Sequence, residues 1–269
     1  MIYKVTENPY YILRKCRIHS KGTFVKFAMG ICFLYVFMNW IPNILAHFYD
    51  LTYADFLKDY LKVENPMLES LPSVPLVVYL YGLMFYGVFS LADALYVLTY
   101  LRAGTVEYVA MFESLNLFIK SLLLFIVKVI LISVGIMFFI IPGIIVAIDL
   151  SQCFYILADD PKKSVADILK ESRSIMIGNR LHFVSVLISC APYYILGYVP
   201  AFLIEELLQD VLNNNLFLII SFLSDIPLFF AIAFIKLNLC TYYEILNCKG
   251  MSNFKYLGEK VFRERISPM

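Results

Sequence analysis

Between Phe27 and Tyr49 the chain runs for 23 residues without a charged side chain. A helix rises 1.5 Å per residue, so about 20 apolar residues cross a hydrocarbon core about 30 Å thick. Further apolar segments follow at Val74–Leu101, Ser121–Ile141, Ile144–Ala158, Leu181–Ile204 and Leu216–Leu246. Over all 269 residues 61% are hydrophobic and 16% charged, whereas a soluble domain carries about 25% charged residues. The surplus of Leu, Ile, Phe and Val needs lipid around it. In lipid each backbone amide must find its partner within its own segment, which favours helices. The expected fold class is therefore all-α: a polytopic transmembrane helical bundle of about six membrane segments, forming a single integral membrane domain over residues 1–269. A net charge of +1 gives no electrostatic case for nucleic acid. The first apolar run is of full spanning length and no Ala-x-Ala site follows it, so a cleavable signal is not expected. Six scattered cysteines without a CxxC pair read as small hydrophobes.

Charge sets the expected topology, because cytoplasmic loops are enriched in Lys and Arg. Residues 1–26, 102–120, 159–180 and the tail after Leu246 hold 18 of the 22 Lys and Arg. The acidic stretches 50–73 and 205–215 suit the outside. Six crossings with both termini cytoplasmic satisfy this count. It requires an even number of crossings between 102–120 and 159–180, which makes Ser121–Ile141 and Ile144–Ala158 a tight hairpin with Pro142-Gly143 at its outer turn. The alternative is one long helix kinked at Pro142-Gly143, since proline removes a helical donor and glycine loosens the backbone.

Two or three segments are too polar to cross. In 102–120, Tyr108, Met111, Phe112, Leu115, Phe118 and Ile119 recur at helical spacing between polar residues, as in an interfacial amphipathic helix. In 159–180, Ser164 with Asp167 resembles a capping box, Val165, Ile168, Leu169, Ser172 and Ile175 mark one face, and Gly178-Asn179 suits a C-cap. Residues 1–26 mix Tyr10, Tyr11, Ile12 and Leu13 with bases; a helix on an anionic surface and a solvated basic tail are both open. A short helix is expected at Tyr53–Leu61.

The central stretch from Phe138 to Arg180 carries a resemblance. Its IPGII, its ILADDP and the following helix with ESRSIMIGN resemble the multi-pass membrane proteins of domain-of-unknown-function family 975, common in Gram-positive bacteria. The likeness extends more distantly to the membrane domain of some glycerophosphodiester phosphodiesterases. It covers most of the chain, to Tyr242-Tyr243-Glu244, and is most specific over Ile141–Asn179. At Ala191-Pro192-Tyr193 the family more often has a Gly-Trp-like pair. The resemblance implies a bacterial cell membrane protein and no assigned reaction.

Ionisable residues inside spans are expensive and usually meet a partner or a cavity. Counted from the inner ends of their spans at 1.5 Å per residue, Asp93 and Lys128 lie roughly 12 Å deep, and Asp149 and Lys236 roughly 14–15 Å. Two acids and two bases at one level suggest a neutral polar cluster, whose role is either helix packing or the conduction of protons or ions or the binding of a substrate. Asp225 stands as an isolated acid nearer the outer half. No catalytic motif, metal set or cofactor pattern appears: His19, His47 and His182 lie in three separate segments. Three function classes follow. One is a non-enzymatic accessory, scaffold or immunity-type component, with the lipid bilayer and a protein partner reached through the cytoplasmic amphipathic helices. Another is a small transporter or permease subunit using the intramembrane charges. The third, a lipid-active enzyme, rests on Asp159-Asp160 alone, a pair that equally reads as a helix-start signal. Oligomeric state is not legible.

Overall fold

The computed structural model describes residues 4–49, 51, 52, 55, 62, 74–208 and 214–247. The expected helix at Tyr53–Leu61, most of the acidic stretches and the basic tail lie outside the described residues. Within them the chain is predominantly helical, with six helices long and apolar enough to cross a membrane. The protein is an integral membrane protein of the all-α, polytopic class.

Helix α1 (Pro9–His19) is capped by Asn8, whose side chain accepts the Tyr10 amide. It is a helix docked on the bundle rather than a solvated tail. Ile12, Leu13 and Cys16 are buried against the bundle while Tyr10 and Arg14 face out. The first span joins α2 (Phe24–Tyr35), a π-helical turn over Val36–Trp40 and α3 (Ile41–Phe48). It starts three residues earlier than the charge-free run, so Lys26 lies in its first turn.

The second span is α4 (Leu76–Ala103), ended by Gly104 in the left-handed region at φ 69°. Phe27 of α2 stacks on Tyr96 and Tyr100 of α4 at centroid distances of 5.3 and 4.3 Å. The Tyr96 hydroxyl donates to the Phe27 carbonyl at 2.9 Å. Gly30 allows this approach: a Cβ there would lie 2.5 Å from Tyr96 Cζ. Towards the end of α4, Asp93, Tyr96 and Tyr100 are buried, whereas Tyr86 nearer its start is exposed.

Residues Tyr108–Leu117 form a 3₁₀ helix rather than the expected α-helix. Met111 and Ser114 are buried and Leu117 packs beside them, three residues apart, as a threefold winding requires. Then α5 (Phe118–Phe138) and α6 (Ile140–Asp149) form the hairpin. The reversal is made by Phe139, a single extended residue at φ −161° and ψ 148°. Pro142 and Gly143 therefore do not form the turn itself. They sit in the first turn of α6, where Pro142 needs no helical donor. Gly143 faces Gly135 across the hairpin; a Cβ on Gly135 would lie 3.0 Å from the Gly143 Cα. The two ends of the hairpin also meet, since Lys120 Nζ donates to the Pro161 carbonyl at 2.5 Å. A single kinked helix could not bring them together.

The returning span is broken. After Asp149 the residues Leu150–Gln152 form a turn, and α7 (Cys153–Asp159) completes the crossing. Next comes amphipathic α8 (Val165–Met176), capped by Ser164 as its sequence predicts: the Ser164 Oγ accepts the Asp167 amide at 3.2 Å. Its buried face is Ile168, Ser172 and Met176, and Gly178 at φ 87° turns the chain out of it. At the helix start, Glu171 pairs with Lys163 at 2.8 Å and holds the lysine above its ordinary range. The fifth span lies in α9 (Arg180–Leu208), which contains Pro192 and Pro200.

The last expected span, Leu216–Leu246, is two helices: α10 (Asn214–Ser224) and α11 (Ile226–Asn247), parted at Asp225. Pro227 stands at the second position of α11, where its missing donor costs nothing. Helix α11 is the axis of the bundle, with 61% of its spanning window buried. By contrast, the hairpin tip Phe138–Ile141 is more than 70% exposed, as expected of side chains meeting lipid tails.

Candidate functional site

Among the described residues, buried acids of the spans and their cations form three ionic latches. The first joins α4 and α11: Lys236 Nζ donates to Asp93 Oδ2. Asp93 is 6% exposed. The pair ties the second span to the central one.

The second latch lies at the break in the returning span. Helix α6 ends at Asp149, and the ends of helices leave carbonyls without intrahelical partners. Ser172 of α8 supplies one, donating its hydroxyl to the Asp149 carbonyl at 2.6 Å. The Asp149 carboxylate, itself buried, receives a two-pronged fork from Arg180, Nε to Oδ1 at 2.6 Å and Nη2 to Oδ2 at 2.7 Å. Arg173 adds a looser contact at 3.9 Å. Cations also suit the negative end of a helix dipole. Gln152 in the turn donates to Ser151 Oγ at 2.9 Å, and its buried Oε1 has no hydrogen-bond partner.

The third latch closes one end of the bundle. Arg102, in the last turn of α4, bonds Asp159 at the end of α7 at 2.7 Å and Glu244 near the end of α11 at 2.6 Å. Tyr243 and Asn247 donate to the other Asp159 oxygen at 3.3 and 3.0 Å. Three spans therefore finish at one level. Asp159 closes a helix here; it does not start one. Asp160 accepts the Lys162 amide at 3.1 Å in a local turn.

Among the four residues expected to cluster, the structure joins Asp93 with Lys236 and gives Asp149 a different cation. Lys128 lies over the Phe154 ring at 5.4 Å, within electrostatic reach of Cys153 and Lys236. Of the expected cluster, Asp149 has its carboxylate held by the Arg180 fork. The turn at Leu150–Gln152 interrupts the helical rise, and Asp149 meets the first residue of α9. Asp225 is not isolated, since Trp40 Nε1 donates to its Oδ2 at 3.1 Å. Pro142 and Gly143 shape the hairpin, where Gly143 packs on Gly135 and Ile136.

Sequence reasoning counted Arg102 and Arg180 among the orientation signals, read Asp159 as a helix start, and named Glu244 only at the end of the resemblance. The signal that could have found the third latch was available: a base and two acids, each in the last turn of a span ending on one side.

A cleft of about 490 Å³ opens between the α1–α2 turn, α9 and α11. Asp93 is not among its lining residues. No group of three or more His, Cys, Asp or Glu with metal-ligand geometry occurs among the described residues. No known protein family, curated protein or solved structure matches this chain.

Proposed function

We propose that this protein is a non-enzymatic accessory or scaffold component of a bacterial cell membrane, possessing cytoplasmic termini. The observation that carries this reading is that three buried acids of its bundle are already committed to internal cations. Asp93 holds Lys236, Asp149 holds Arg180, and Glu244 holds Arg102. Such closed pairs fix helix positions and leave little free charge for a substrate. The likeness of Ile141–Asn179 to family 975 supports the bacterial location, and the basic side shared by α1, α8 and Arg102 supports the orientation. Partners would be engaged by the bilayer-facing spans or the outer face of α8, where Lys170 and Arg173 are exposed.

Affinity purification from native membranes tests the reading. Expected is a defined protein partner retained by the wild type and lost when the exposed face of α8 is recharged. Recovery of the protein with no partner at all, from several gentle detergents, would count against it. A second reading, a small transporter, is favoured by one specific observation. The break at Leu150–Gln152 places an unpartnered Gln152 oxygen in a broken helix, a device used at transport sites. Substrate-dependent flux through reconstituted wild-type protein, abolished by Gln152→Leu, would select this reading over the first.

A further inference from the structure

We propose that the cleft between α1, α9 and α11 holds one anionic phospholipid, its phosphate at Arg17 and Lys21 and an acyl chain against the aromatic wall. This goes beyond the scaffold reading and does not depend on it. The cleft's volume, about 490 Å³, lies in the range of about 300–1,000 Å³ that encloses a small ligand. Its wall is made by Phe24, Tyr193, Leu196, Phe230 and Phe234, with Gly197 at its floor. No carboxylate lines it; the charged lining residues are Arg17 and Lys21.

The two ends of the cleft differ in the way a phospholipid does. At the polar end, Arg17 comes from the last turns of α1 and Lys21 from the turn that follows, at the level where the first span begins. Tyr193 accepts from Arg17 Nη2 at 2.8 Å and so aims the guanidinium over the cleft mouth. Guanidinium and ammonium groups at the membrane surface attract anionic headgroups. At the apolar end the cleft is lined by Leu196, which is 78% exposed. A chain entering there passes directly from the bilayer. The floor is closed where α9 and α11 touch at Gly197, where a Cβ would come within 2.8 Å of the Ala231 Cβ. A soluble anion would use the cations and leave the wall bare; a neutral lipid would use the wall and leave the cations bare. An anionic phospholipid uses both.

The test uses full-length protein reconstituted in vesicles of equal phosphatidylglycerol and phosphatidylcholine, then released and weighed by native mass spectrometry. Expected is one retained phosphatidylglycerol on the wild type. Lys21→Gln, at an exposed position that leaves the fold intact, should lower that retention several-fold, and R17Q with Lys21→Gln at least tenfold. Leu196→Trp should block the lip and lower retention of either lipid. The proposal is overturned by equal retention of the two lipids on the wild type, or by unchanged phosphatidylglycerol on the doubly neutralised protein. Displacement of the lipid by glycerol phosphate alone, or a dimer that forms as the lipid is lost, overturns it too.

Discussion

Asp93 is buried and its cation is Lys236, which sets what removing either one does. Asp93→Asn strands an ammonium inside the bundle, and breaking one side of a buried pair costs about 3–5 kcal/mol. Replacing both, Asp93→Asn with Lys236→Met, leaves no uncompensated charge and should recover most of that loss. Thermal unfolding in detergent decides the matter: a double variant as unstable as the single one would show that the pair is not a packing latch. Cys16 gives a second prediction at this scale. It is buried in α1 against α11, its sulfur 3.1 Å from Thr241 Oγ1, and burial pushes the thiol up to about 12 from its usual 9.0. The folded protein thus favours the protonated thiol. The stability this contributes is complete below pH 9 and is lost as pH rises towards 12. With Cys16 as the sole cysteine, maleimide labelling at pH 7 should be slow in folded protein and fast after denaturation. Fast labelling of the folded protein would mean that α1 does not dock.

The hairpin of α5 and α6 behaves as one element because its backbones meet at Gly135 and Gly143. The meeting of Lys120 with Pro161 makes a sidedness prediction. Cysteines placed at Lys120 and Lys162 should both react with a membrane-impermeant reagent from the same side. Labelling from opposite sides would require the single kinked helix. The hairpin itself was legible in the sequence, because charge counting needed an even number of crossings there. The residue that turns it was not. Phe139 has no turn propensity, and Pro142-Gly143 attracts attention for a different reason: proline fits the first turn of a helix, and glycine lets α6 approach α5. The 3₁₀ winding of Tyr108–Leu117 was equally hidden, since apolar spacings of three and four overlap in a short segment.

Across the whole molecule, Arg102 is the residue on which three spans converge. Glu244 is 2% exposed, so Arg102→Gln leaves a buried carboxylate without its cation and should loosen the ends of α4, α7 and α11 together. Arg102→Lys should not restore them, because an ammonium cannot fork between Asp159 and Glu244 as a planar guanidinium does. Amide hydrogen exchange in the last turn of α11 measures this; full protection in the lysine variant would refute it. The membrane class, the number of crossings, the hairpin and the capped helix Val165–Met176 were all determined by the sequence by itself. These follow from local quantities: uninterrupted apolar length, the count of bases on each side, and a serine three residues before an aspartate. Which acid meets which base was decided by the tertiary structure alone. Depth along one helix does not report rotation about its axis or a break in its rise, and an ion pair in lipid forms only between groups that packing brings to within about 4 Å.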